Sequence, residues 1–458
     1  MTTPLPDGDE AGRTMALVRT ALRPQGARPS PLPSPPAEAA QPPRERSFDF
    51  ASLPEYAQLR ILRAAGDIAG ISNPFYRPHE GRADDTTVLD GRTVVNFSSY
   101  DYLGLNGHPE VTAAAKAAID RYGTSVSASR LTAGERPLHR ALESALANAY
   151  AADDALVFVS GHATNVSVIG GLLNDEDLIV TDALIHNSIV EGAKLSGARR
   201  ILCPHGDLEA MERALRLNRG RHRRALIVVE GLYSMDGDMP DLAALVRLKR
   251  RYDAWLMVDE AHSLGVLGAT GRGVAEEQGI DPKDIDIWMG TLSKTLASTG
   301  GYIAGSRALV ELLKYTSPGM VYSVGTAPSV TAASLAALDV MNREPERVAR
   351  LRDNGRYFLS AARERGLDTG PSLGASIVPV IVGSSPATVV LSQRLLARGY
   401  NIVPIIFPGV AENQSRLRFF ISSRHTPAQM TSVLDAVATE LESIRQEPSF
   451  IAALAQRG

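Results

Sequence analysis

Six short apolar runs, set among helical stretches and turns, restrict most strongly what this 458-residue chain can fold into. They are Ala155–Val159, Leu178–Thr181, Arg199–Leu202, Ala225–Glu230, Trp255–Asp259 and Asp286–Met289, and helical stretches such as Leu208–Leu217 and Asp241–Tyr252 separate several of them. This alternation predicts an α/β fold, a mostly parallel sheet wrapped by helices. Just upstream, Pro109–Tyr122 and Pro137–Tyr150 have helical spacing with proline in the first turn, where a missing N–H costs little. From about 345 to 445 the pattern changes to a helix (Arg347–Arg365), two apolar runs (Ile377–Val382 and Leu417–Ile421) and a C-terminal helix (Pro427–Arg445), which reads as a smaller α+β domain. The expected organisation is therefore a tail or linker at 1–48, an N-terminal segment at 49–108, a large domain at 109–340, a small domain at 341–445 and a tail at 446–458. The first of these holds ten of the 28 prolines and reads as disordered, with one or two helical turns at Arg13–Arg23.

Charge and composition remove several classes of function. A formal net charge of −3 argues against a nucleic-acid binder that works through bulk electrostatics. No apolar run approaches the roughly 18 residues of a membrane span, and a polar, Pro-rich start predicts no secretory leader. Cys203 is the only cysteine, so neither an intramolecular disulfide nor a Cys-cluster metal site is expected. The reading is a cytoplasmic protein without a metal.

The lysines narrow the chemistry. There are six (Lys116, Lys194, Lys249, Lys283, Lys294, Lys314), and arginine, always protonated, cannot serve as an amine nucleophile. Lys116, Lys249 and Lys314 lie on polar faces of helical patterns, Lys194 is in another such stretch, and Lys283 is in the turn DPKD. Lys294, in GTLSKT directly after an apolar run, is placed where α/β sheets build their sites. Asp259 ends the run Trp255–Asp259, 35 residues earlier. A lysine and a carboxylate at strand ends suit a pyridine cofactor, the amine binding its aldehyde and the acid keeping its ring nitrogen protonated. For Asp259 alone, a helix N-cap or turn remains the plainer explanation.

Seven segments then carry a resemblance: NFSSYDYLGL (96–105), SGHATN (160–165), EGLYSMDGD (230–238), DEAHSLGVLGATGRG (259–273), GTLSKT (290–295), GGYIAG (300–305) and SRLRFFISSRH (415–425). In this order the chain from about Asn73 to His425 resembles the α-oxoamine synthases, pyridoxal 5'-phosphate (PLP) enzymes of the aspartate aminotransferase-like fold type I. YRPHEG (76–81) and SRLTAGERPLH (129–139) are similar to serine palmitoyltransferase-like members that work beside polyketide synthases. The resemblance implies a homodimer and a decarboxylative condensation. A small amino acid (glycine, alanine or serine) joins an acyl thioester of coenzyme A or an acyl carrier protein, giving an α-aminoketone and CO2.

It also implies residue roles. Lys294 would bind the cofactor and move the Cα proton, and Asp259 would pair with the ring nitrogen. His262 and Ser234 would approach the phenolic oxygen, and His186 would stack on the ring. Backbone N–H groups of Gly161 and His162, with the Thr291 hydroxyl, would hold the phosphate, and Arg418 the substrate carboxylate. Ser323 would reach the phosphate of the neighbouring subunit. The chain departs from the family pattern at His162, usually aromatic or small, and at Ala297, where glycine is common.

Other readings stand beside this one. An aminotransferase is the nearest competitor, and a catalytically silent partner subunit is a third class. AHSLG (261–265) is similar to a nucleophile elbow, which would make Ser263 the nucleophile of a serine hydrolase. The basic run Arg216, Arg219, Arg221, His222, Arg223 and Arg224 offers a dock for an acidic carrier protein or coenzyme A phosphates, with a solvated helix end as the plainer explanation.

Overall fold

The computed structural model describes residues 49–68 and 70–446. The Pro-rich stretch, the turns expected at Arg13–Arg23 and the chain after 446 lie outside the described residues. The described residues up to Arg63, a 3-10 turn (Phe50–Ser52) and the beginning of helix Pro54–Ile68, belong to a unit separate from the rest.

The centre of the remaining chain is a seven-stranded sheet: β1 (Asp154–Phe158), β2 (Leu178–Asp182), β3 (Arg199–Cys203), β4 (Ala225–Glu230), β5 (Trp255–Asp259), β6 (Ile287–Thr291) and β7 (Gly301–Gly305). Their spatial order is β1-β7-β6-β5-β4-β2-β3. β2 to β6 run parallel, while β7 is antiparallel to both β6 and β1. All six apolar runs are strands, with ends moved by one or two residues. The seventh strand is GYIAG.

Both faces of the sheet are apolar because both are covered. In β4, Ile227 and Val229 enter one core while Leu226 and Val228 enter the other. On the second face the strands pack against α1 (Gly161–Leu172) through Val168, Ile169 and Leu172, and against α2 (Asn187–Ser196) through Ile189 and Ala193. Each such buried aliphatic side chain contributes about 1.5–3 kcal/mol of transfer free energy.

Two three-stranded sheets lie outside this layer. Ile377–Ile381, Arg416–Phe420 and Pro404–Ile405 form an antiparallel sheet. The other joins a hairpin, Thr86–Leu89 and Arg92–Asn96, to the two-residue strand Tyr400–Asn401, which pairs in parallel with Val95 and Asn96. Phe97, Phe358, Val378, Leu417, Phe419 and Val433 build a third core around these strands. Residues from opposite ends of the chain thus share one small lobe. Among the described residues no helix is long and apolar enough to cross a membrane.

Candidate active site

Parallel strands end together, and here their carboxyl ends carry the chemistry. Asp182 ends β2, Glu230 ends β4, Asp259 ends β5 and Thr291 ends β6. Glu230 and Asp259 are direct register partners, so two buried acids stand side by side. The Asp259 carboxylate accepts from the Ala261 N–H (3.0 Å) and from the Asn165 amide (2.9 Å). Burial first, and the Asp259 carboxylate second, push the Glu230 carboxyl up to about 8. Glu230 is therefore mostly protonated at neutral pH. Its Oε2 accepts from the Ser234 N–H (3.2 Å), and its buried Oε1 has no partner among the described residues.

Lys294 lies three residues past the end of β6. Desolvation lowers its ammonium to about 8, with Asp259 and Glu230 pulling up and Arg418 pushing down. At pH 7.5 roughly a quarter of the amine is neutral, against about one part in a thousand for an ordinary lysine. Its Nζ sits 5.5 Å from the centre of the Tyr100 ring. The turn that carries it is clamped: Thr295 donates to the Leu264 carbonyl (2.7 Å) and lies where a Cβ on Gly265 (φ 77°) would fall. Ala297, the departure noted above, has φ 49°, which explains why glycine suits that position.

The other expected residues converge on the same edge. His186 caps the N-terminus of α2, its Nδ1 accepting from the Ser188 N–H (3.2 Å) and lying 2.7 Å from the Ser188 hydroxyl. Desolvation, opposed by Asp259 and helped by Lys294, His162 and Arg418, holds its imidazolium form below the ordinary range. His262 is buried, with Nδ1 2.7 Å from the Tyr102 hydroxyl, and burial keeps it neutral. Arg418, on strand Arg416–Phe420, donates to the Ser234 carbonyl (2.9 Å) and lies over Phe420, while its buried Nε has no partner among the described residues.

Gly161 and His162 open α1 after the N-cap Ser160, whose Oγ accepts from the Ala163 N–H. The N–H groups of Gly161 and His162 have no acceptor among the described residues. A Cβ on Gly301 would meet the Gly161 backbone at 2.6 Å, and one on Gly161 would meet the Thr291 hydroxyl at 3.0 Å. The close approach brings Thr291 to a helix N-terminus suited to an anion. Ser323 stands apart in a crevice with Arg130, Phe158 and Gly319.

Two expectations find little support in this geometry. Ser263 is fully buried, so it lacks the exposure a hydrolase nucleophile needs. The basic run ends just before β4, at the amino end of the strands. There Arg219 binds Asp253, Arg223 binds Glu176 and Arg224 binds Asp177, so much of its charge is paired, at the edge opposite Lys294.

Sequence reasoning assigns no role to Glu230, Asn165, Ser188, Tyr102 or His205. Glu230 carried a signal, since it ends an apolar run just as Asp259 does. His205 bridges Asp182 and Asp238 (2.9 Å each), and these bonds push it up to about 10, tying the end of β2 to the loop after β4.

The chain is similar to known proteins over most of its length. Residues 92–437 match the family described as aminotransferase class I and II. The 8-amino-7-oxononanoate synthase of Geobacter sulfurreducens is 42% identical over 361 residues, 78% of this chain and 91% of that protein. The serine palmitoyltransferase of Sphingomonas wittichii superposes with a TM-score of 0.82 at 28% identity, covering 87% of this chain and 100% of that one. Another serine palmitoyltransferase structure, containing PLP, gives 0.82 and 28% over 87% and 99%.

Proposed function

The chain belongs to the class I and II aminotransferase family and, within it, to the α-oxoamine synthases, and from that premise we propose that it condenses a small α-amino acid with an acyl thioester, releasing CO2 and an α-aminoketone. The amino acid is glycine, alanine or serine, and the acyl donor is coenzyme A or a carrier protein. The observation that carries this is Lys294: a half-buried amine, lowered to about 8 by desolvation and under the electrostatic influence of Asp259, Glu230 and Arg418.

The residues fit PLP by their own unsatisfied groups. Two free N–H groups at the start of α1 and the Thr291 hydroxyl match a phosphate, and Asp259 at the end of β5 matches a pyridinium. PLP bound here supplies an electron sink for charge developing at the substrate Cα. Lys294, partly neutral at working pH, holds the cofactor aldehyde and afterwards takes and returns the proton at Cα. Asp259 accepts from the Asn165 amide and the Ala261 N–H, which hold its carboxylate in place at the end of β5. Arg418, whose Nε has no partner among the described residues, would bind the amino-acid carboxylate and so fix which Cα bond is held for cleavage. His262, held by Tyr102, would approach the phenolic oxygen of bound PLP together with Ser234. Protonated Glu230 adds no second negative charge beside Asp259. The enzyme works in the cytoplasm as a homodimer, in which Ser323 serves the neighbouring subunit's phosphate.

Borohydride reduction of the PLP-loaded protein, followed by peptide mapping, should mark Lys294 alone. Incubation with each candidate amino acid and an acyl thioester should yield CO2 and a new C–C bond in equal amounts. A keto acid without CO2 would point to an aminotransferase instead.

A further inference from the structure

Asn165 and Ser188 are both about 1% exposed, and the reaction outlined above does not require that they touch substrate. Their geometry nonetheless links two residues that it does require. The Asn165 amide reaches Asp259 Oδ2 and Ser188 Oγ, each at 2.9 Å. An ionised carboxylate only accepts, so the amide must turn its NH2 toward Asp259. The same NH2 spends its second hydrogen on Ser188, leaving Asn165 Oδ1 without a partner among the described residues. Ser188 Oγ, now an acceptor from Asn165, directs its own hydrogen to His186 Nδ1 at 2.7 Å. That nitrogen also receives the Ser188 backbone N–H, an orphan donor of the first turn of α2. Two donors converge on Nδ1, so the ring proton of neutral His186 is on Nε2.

We propose that Asn165 and Ser188 are positioning residues that fix His186 as its Nε2–H tautomer and tie that choice to the negative charge of Asp259. The direction of each side-chain hydrogen from Asp259 to Ser188 follows from the carboxylate at the far end, and the Ser188 backbone N–H, which can only donate, reinforces the same choice at Nδ1. Without the Asn165 amide, the Ser188 hydroxyl would be free to accept instead, and the backbone N–H alone would hold Nδ1 as an acceptor. The relay thus gives the histidine expected to lie over the cofactor a hydrogen-bond donor on the side away from α2. This rests on the function proposed above, in which His186 and Asp259 serve one cofactor.

The test uses the full-length protein with [ring-15N]histidine, with and without PLP, and a His186→Asn variant to assign the signal. In the wild type, His186 should show one pyridine-type nitrogen (Nδ1) and one pyrrole-type nitrogen (Nε2) at pH 7.5. Asn165→Leu should bring the two signals toward a common average while retaining the visible absorbance of bound PLP. Its kcat should fall about tenfold or more, with the KM for the amino acid within about twofold. Should Asn165→Leu fail to fold, Ser188→Ala removes one oxygen and should shift the signals in the same direction by less. A wild-type His186 protonated on Nδ1 or on both nitrogens would overturn the proposal, as would folded variants with unchanged ring signals. The ring signals can be read whether or not PLP binds, so a colourless wild type would count against the functional reading alone.

Discussion

The two edges of the central sheet solve opposite problems with similar residues. At the amino edge, charges are matched: Arg224 with Asp177, Lys249 with Asp286, and Arg219 with Asp253. At the carboxyl edge, Glu230 Oε1, Asn165 Oδ1 and Arg418 Nε are buried without partners among the described residues. An unpaired buried polar group costs about 1–3 kcal/mol, so a fold retains a cluster of them where a ligand completes the set. Volume gives a different answer. A crevice of about 690 Å3 opens at the amino edge beside Trp255, Lys283 and Trp288, and none of the orphaned atoms lines it. Unsatisfied chemistry, more than empty space, marks the working side.

The contrast can be broken most directly at the lysines. Lys294→Ala should lower turnover by about three orders of magnitude or more and remove the visible absorbance of bound PLP. Lys249→Ala at the other edge should leave both within about twofold, and comparable losses from the two would erase the distinction. Asp259→Asn comes next, with kcat reduced by about a hundredfold in steady-state assays. The amine itself supplies a pH readout. Its neutral fraction rises as pH approaches 8, so the rate of PLP capture by cofactor-free enzyme should climb about fiftyfold from pH 6 to 8 and then level off. A flat profile would mean that the ammonium is not the limiting form.

Smaller effects sharpen the amino edge. Arg224 is about a third exposed, while its partner Asp177 is fully buried. Burial alone would raise Asp177, but Arg224 and further hydrogen bonds hold it below the usual carboxylate range. Arg224→Ala should cost about 1–2 kcal/mol in urea unfolding and leave kcat unchanged, Arg223 compensating in part. Ala297→Gly, relieving φ 49° beside the turn that carries Lys294, should stabilise by about 1 kcal/mol.

What the sequence disclosed follows from how each feature is encoded. The buried parallel strands were legible because strands covered on both faces must be apolar throughout. Gly301–Gly305 hides as a strand because two of its five residues are glycines, small where β7 passes the Gly161 backbone and the Tyr302 ring passes Gly290. Hairpin Thr86–Leu89 and Arg92–Asn96 did carry a local signal: Asp90 and Gly91, at φ 51° and 71°, form the kind of turn that Asp-Gly favours. The two-residue strand Tyr400–Asn401 has no sequence period at all. At the site, Lys294 and Asp259 could be picked out because amines are few and strand ends are readable. The links through Asn165 and Ser188 could not, since they are made between separate helices and the end of β5.

The pairing of that early hairpin with Tyr400–Asn401 also bears on how the protein is made. Asn401 bonds to Asn96 from 305 residues away. At about 5–20 residues per second, the hairpin would wait about 15–60 s on a translating ribosome before its third strand is synthesised. Until then its open edge is exposed to whatever else is in the cell, including the same hairpin on a neighbouring nascent chain.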